Sequence, residues 1–174
     1  PLDGTTNFIH GIPHFAISIA CLYKGHLEHA VILDPIRHEE FTASRGKGAQ
    51  FNGRRMRISP RKSLDGALIG TGIPFKSRSE VHIPAYTQSL EAVAKQTAGI
   101  RRAGAASLDL AYVAAGRLDA FWEIGLKQWD IAAGILLIRE SGGLVSDFNG
   151  DNDYMNSGNI VAGNPKCFKA LLQT

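Results

Sequence analysis

The hydrophobic rhythm of the chain changes near Leu64, and that change limits the fold more than any single residue does. Upstream, apolar runs follow one another closely, separated only by turn signals. Residues 15–23 read as a strand ending at Lys24-Gly25, and residues 27–33 and 39–44 as the next two, joined through Asp34-Pro35. Gly46, Gly48 and Asn52-Gly53 punctuate two further short strands. Connections this short leave no room for crossovers, so the strands form an antiparallel meander. Downstream the pattern alternates. Strands are expected at 67–72, 101–103, 120–124, 144–148 and 159–162, and helices near 80–97, 107–115, 130–141 and 165–172. That alternation predicts a second sheet covered by helices, and hence an α/β chain in stacked layers. No repeat or linker divides the two regions, 1–63 and 64–174, so they are expected to fold as one cooperative unit.

Composition narrows the function classes. With 44% hydrophobic and 20% charged residues among 174, the chain is too apolar to be disordered. Its longest nearly unbroken apolar stretch, Ile131–Ile138, is far shorter than the ~20 residues that cross a bilayer. No membrane partner is expected, and a cytoplasmic location is. Cys21 and Cys167 lack CxxC spacing and sit among apolar residues, which predicts two free, buried thiols. The net charge of +3 is unevenly spread: residues 1–87 hold 11 Lys/Arg against 7 Asp/Glu, and residues 88–174 hold 8 against 9. Arg54, Arg55, Arg57, Arg61 and Lys62 carry much of the surplus. They form either a solvated hairpin rim or a surface for phosphate, RNA or an acidic partner.

Two stretches carry chemistry. In Pro1-Leu2-Asp3-Gly4-Thr5-Thr6-Asn7-Phe8, Asp3 offers a hard carboxylate of the kind Mg²⁺ takes. Gly4 permits a tight turn, and Thr5-Thr6 stand where a helix could open with free N–H groups toward an anion. A plain turn with an N-cap fits the same residues. In Trp129–Gly143, Asp130 precedes an apolar helix that stops at Gly142-Gly143. A carboxylate there suits a metal ligand, or it serves only as a cap. Other constellations fall away. Gly11 and Pro13 spoil the helix that would pair His10 with His14 around zinc, and His26 and His29 read as part of an exposed strand. The acidic run 147–153 has its Gly misplaced for a calcium loop. Neither a GxSxG elbow nor a Walker A loop is present.

Together, the Asp-Gly-Thr run and the Trp-Asp-x-Ala-Ala-Gly helix ending in Glu-x-Gly-Gly resemble the two signatures of the inositol monophosphatase family, 127 positions apart at Asp3 and Asp130. The segments 101–104, 108–117, 121–125 and 159–164 are similar to its bacterial SuhB branch. The resemblance implies a layered α-β-α-β-α sandwich of the sugar-phosphatase type. It also implies Mg²⁺ held by Asp3, Asp130 and the Leu2 carbonyl. Gly4 and Thr5 N–H groups would meet the phosphate, and the Thr5 hydroxyl would orient water. Gly104 and Ala106 would line a sugar pocket near Arg101, and Glu123 and Asp130 would accept ring hydroxyls. The implied reaction is hydrolysis of a small polyol phosphate, inositol 1-phosphate first. A fructose bisphosphatase or nucleotide phosphatase of the same superfamily is an alternative, as is a binding role with RNA polymerase and antitermination factors. A homodimer is implied too. In the family, the motif's first Asp stands directly before Pro1, after a segment with a Glu pair, another Asp and two long helices. The chain is therefore expected to lack its N-terminal part and to be inactive alone. The stretch 72–76 also lacks a small hydroxyl residue that some members place near the inositol.

Overall fold

The computed structural model describes residues 2–74 and 79–174, with the side chains of residues 79–82 left aside. The first region forms a six-stranded sheet, β1 Leu2–Asp3, β2 Ala16–Tyr23, β3 His26–Asp34, β4 Glu39–Ser44, β5 Gly48–Phe51 and β6 Arg54–Arg55. The strands pair in sequence order and all antiparallel, as the short connections require. The second region adds β7 Leu68–Thr71, α2 Ser79–Ala94, β8 Gly99–Arg101, α3 Ala106–Ala114, β9 Ala120–Glu123, α4 Gln128–Ser141, β10 Leu144–Ser146, α5 Tyr154–Ser157, β11 Ile160–Gly163 and α6 Pro165–Leu172. Its five strands run in the order β10-β11-β9-β7-β8, with β7 parallel to β8 and β9 and the other pairs antiparallel.

Two hydrophobic cores hold the layers together. Helices α3 and α4 lie between the sheets, where Ile32 and Phe41 of the first sheet meet Leu110, Ile135, Leu137 and Ile160. This explains why α4 is apolar all round: it packs on β2, β3, β4 and β5 on one side and on α3 on the other. Gly134 permits that helix contact, since a Cβ there would lie 2.5 Å from the Leu110 Cβ. The second core, with Ile69, Trp122 and Val161, seals α2 and α6 onto the far face of the second sheet. The described residues thus supply four layers, sheet–helices–sheet–helices. On the outer face of the first sheet, alternation along β2 sends Ile17 and Ile19 outward, and Ile19 is 57% exposed.

Several sequence expectations shift. The helix expected at 130–141 opens at Gln128, so Asp130 sits inside its first turn instead of before it. The strand expected at 101–103 is β8, two residues earlier, because it pairs with β7 in the register Leu68↔Gly99 to Gly70↔Arg101. Cys167 is a buried free thiol as expected. Cys21 is free but exposed, because β2 alternation turns it to the outer face. All five residues of the basic cluster, Arg54, Arg55, Arg57, Arg61 and Lys62, are exposed, and Arg61 Nε also pairs with Asp119 Oδ2 at 3.1 Å. The acidic run after β10 is a turn, with Asp147 Oδ1 accepting the N–H groups of Asn149 and Asp151, both at 2.9 Å. Among the described residues, no helix is long and apolar enough to cross a membrane.

Glu140 ties the helical layer to the first sheet. Its two carboxylate oxygens accept the N–H groups of Gly46 and Gly48, both at 2.8 Å, pinning the β4–β5 turn to the end of α4. Glu140→Ala leaves both donors to water, and denaturant unfolding should show a loss of about 1–2 kcal/mol. Glu140→Gln keeps one acceptor and should recover part of it.

Candidate active site

Stretches remote in sequence converge on one cavity of about 660 Å³. Leu2 and Asp3 of β1, Gly4, and Thr5 at the start of α1 line one wall; Gly104 and Ala106 come from the start of α3. Glu123 ends β9, and Asp130 lies in the first turn of α4. Helices α1, α3 and α4 therefore turn their N-terminal ends to the same space. Free N–H groups and the helix field favour negative charge there.

Gly4 makes the first turn possible. It has φ +84°, a left-handed conformation, and a Cβ would lie 2.9 Å from the His14 carbonyl oxygen. Asp3 then joins two helix starts: Oδ1 accepts the Gly4 N–H at 2.8 Å and Oδ2 the Ser107 N–H at 2.7 Å. Buried Asn7 reinforces the joint, its Nδ2 donating to the carbonyls of His14 and Ala103 at 2.8 and 2.9 Å. Asp130 Oδ2 accepts the Lys127 N–H at 3.0 Å. The Thr5 hydroxyl is 3.5 Å from the Leu2 carbonyl. At Gly72, a Cβ would overlap the Glu123 carboxylate, so glycine is the residue that leaves this acid its place.

The electrostatics are those of crowded acids. Burial, with repulsion from Asp3 next, pushes the Glu123 carboxyl up to about 8, against a smaller opposing pull from Arg102. Burial raises Asp130 as well, opposed by its bond from the Lys127 N–H. Asp109, buried on α3, is held well above the usual carboxylate range by burial, then by Glu123 and Asp3. Such a cluster stays partly protonated until a cation relieves it. The oxygens of Asp3, Asp130 and the Leu2 carbonyl are the hard donors that Mg²⁺ takes while keeping several waters. Among the described residues, no group of three or more His, Cys, Asp or Glu is placed to hold a metal ion by itself.

The cavity thus gathers Leu2, Asp3, Gly4, Thr5, Gly104, Ala106, Glu123 and Asp130. Arg101 stands apart: it is exposed on β8, its Nη1 donating to the Ile100 carbonyl, and its neighbour Arg102 lines the cavity instead. Sequence reasoning also passed over Asn7, Asp109 and Thr71. Asp109 left a signal, as a lone acid in an apolar helix. Thr71 lines the cavity just before the 72–76 stretch, of which Phe75 and Lys76 lie outside the described residues.

The sequence profile of the inositol monophosphatase family matches residues 1–174. The chain belongs to that family. Among inositol monophosphatase relatives, Nus factor SuhB of Pseudomonas aeruginosa is 68% identical over 174 residues, covering 100% of this chain and 64% of that protein. The extragenic suppressor protein suhB from Bartonella henselae superposes with a TM-score of 0.95 at 51% identity, over 99% of this chain and 66% of that one. The inositol monophosphatase from Anabaena gives 0.93 at 38% identity, over 99% and 71%. The layered α/β architecture read from the sequence is the one these inositol monophosphatase structures have. The chain spans about 64% of the length of the curated relative it matches.

Proposed function

We propose that this chain carries the phosphate-facing part of a Mg²⁺-dependent phosphomonoesterase acting on a small polyol phosphate, with inositol 1-phosphate the leading substrate. One observation carries the reading: Asp3, Glu123 and Asp130, from distant segments, line one cavity at the starts of α1, α3 and α4. The free N–H groups at the opening of α1 seat the phosphate, and the Thr5 hydroxyl orients the attacking water. Asp3, Asp130 and the Leu2 carbonyl hold Mg²⁺, which when bound supplies charge neutralisation at the phosphate and a more acidic water. Gly104 and Ala106 leave room for a ring, and Glu123 meets its hydroxyls, as acceptor when ionised and as donor when protonated. The test is phosphate release from inositol 1-phosphate by the whole protein, with fructose 1,6-bisphosphate in parallel. Release should require Mg²⁺ and favour the inositol ester. Turnover that survives chelation of divalent ions would remove the basis of the proposal.

A second reading has its own support. The similar Pseudomonas protein is named a Nus factor, and Arg54, Arg55, Arg57 and Lys62 stand exposed without an ion pair among the described residues. We infer a surface for RNA polymerase, antitermination factors or their RNA, which the same protein could use beside its cavity. Retention on such complexes should weaken as salt rises from 50 to about 200 mM, and charge reversal at Arg54 and Arg55 should weaken it further.

A further inference from the structure

Glu123 at the end of β9 and Asp130 in the first turn of α4 are joined by residues 124–127, which belong to neither element. Gly125, Leu126 and Lys127 of that bridge line the acidic cavity themselves. Each of the three gives its N–H to a defined acceptor. Gly125 donates to the Asn159 side-chain Oδ1 at 3.1 Å, Leu126 to the Gly158 carbonyl at 2.9 Å, and Lys127 to Asp130 Oδ2 at 3.0 Å. The first two acceptors belong to the joint between α5 and β11, which does not line the cavity. That joint is itself held. The Gly158 N–H donates to the Tyr154 carbonyl at 2.9 Å and the Asn159 N–H to Ser157 Oγ at 3.2 Å. One residue later β11 begins, with Ile160 opposite Glu123. Gly158 has φ +74°, and a Cβ on it would lie 2.1 Å from the Leu126 carbonyl oxygen, so glycine is what lets the two backbones approach this closely.

We propose that Asn159 is a positioning residue for the cation held at Asp130, acting through the backbone of residues 125–127. With its two predecessors tethered, Lys127 presents its N–H in one direction, and that N–H sets how the Asp130 carboxylate faces the cavity. Outer groups that orient a metal ligand in this way change metal affinity by roughly 10–100-fold when removed. Asn159 stands one step further out than such a group, so the smaller end of that range applies to it. The inference rests on the reading of Asp130 as a Mg²⁺ ligand. It adds to that reading a residue that meets neither metal nor substrate.

Mn²⁺ is the probe, titrated into the whole protein, with the free aqueous ion counted by electron paramagnetic resonance. The site in question is the one that Asp130→Ala loses. Asn159→Ala, which removes the acceptor of the Gly125 N–H, should weaken Mn²⁺ there about tenfold. Asn159→Asp keeps an acceptor oxygen at the same place and should return the affinity to within about twofold of the native value. Glu140→Ala, at the opposite end of α4, is the structural control: it loosens the fold without touching the bridge and should bind Mn²⁺ as the native protein does. In turnover, Asn159→Ala should raise the Mg²⁺ concentration needed for half-maximal rate while the rate at saturating Mg²⁺ stays close to native. Native Mn²⁺ affinity in Asn159→Ala overturns the proposal. So does equal weakening in Glu140→Ala, or an Asn159→Asp as weak as Asn159→Ala. If Asp130→Ala costs the native protein no Mn²⁺, the phosphatase reading itself falls, and this inference with it.

Discussion

Asp3→Asn should lower Mg²⁺-dependent phosphate release by the whole protein at least a hundredfold, mostly through weaker metal retention and poorer alignment. The substitution is nearly isosteric, so the reason is electrostatic and directional. Each oxygen of Asp3 already accepts one N–H, from Gly4 at 2.8 Å and Ser107 at 2.7 Å. An asparagine has one acceptor oxygen and one NH₂, so whichever way it turns, a donor faces a donor at one helix start. That conflict costs roughly 1–3 kcal/mol and loosens α1 against α3, while the negative charge offered to the cation is lost outright. Asp3→Ala removes the conflict but also the ligand. It should therefore fold at least as well as Asp3→Asn and be no more active. Turnover over a Mg²⁺ series, with a thermal melt for each variant, separates the two effects. Unchanged Mg²⁺ dependence in Asp3→Asn would show that Asp3 only caps a turn, which is the other role its sequence context allows.

How far the sequence revealed this arrangement depends on how local each signal was. The all-round apolar face of 131–138 is a property of one segment, and it correctly marks a helix enclosed between layers. The meander was legible for a similar reason, since short turns leave antiparallel pairing as the available geometry. By contrast, β1 has two residues and exists only because Leu2 and Asp3 find Ile17 and Ala16 to pair with. No propensity in a two-residue piece could announce it. Arg101 as a pocket residue rests on the family likeness, with no local signal behind it; it is exposed at the end of β8, and Arg102, just past that strand, lines the cavity. Asn7 and Asp109 are polar groups whose surroundings come from segments about a hundred positions away, the carbonyl of Ala103 for Asn7 and the carboxyl of Asp3 for Asp109. In the sequence Asn7 only continues the polar run Thr5-Thr6, while Asp109 stands out as a lone acid in an apolar helix without saying what surrounds it. Asp3 and Asp130 could be singled out because each sits in a long, specific pattern. Their meeting in one cavity is a tertiary fact.

The second large effect is on stability, and its sign follows from the buried acids. Glu123 has an ordinary value of 4.5 and is pushed up to about 8 in the folded protein. Between those values the unfolded chain has released the proton and the folded one still holds it, so folding is penalised as pH rises. Stability associated with this group is full below about pH 4.5 and falls by up to about 1.4 kcal/mol per pH unit toward pH 8. Asp109 and Asp130 are raised too and act in the same direction. His14, whose value is lowered chiefly by burial and then by Arg37, works the other way: its neutral form is favoured in the fold, so its contribution grows as pH rises toward its unfolded value of 6.5 and is complete above it. The difference between the native protein and Glu123→Gln isolates the carboxyl from these neighbours. Denaturant unfolding from pH 5 to 8 without divalent ions should show the native protein losing roughly 3 kcal/mol relative to Glu123→Gln. Mg²⁺ should narrow that gap most at the alkaline end, because a cation held by Asp3 and Asp130 offsets the Asp3 repulsion that adds to burial in keeping Glu123 protonated. Parallel pH curves for the two proteins would mean that Glu123 ionises normally in a wet pocket. A gap indifferent to Mg²⁺ would mean that the crowded carboxylates do not bind the ion at all.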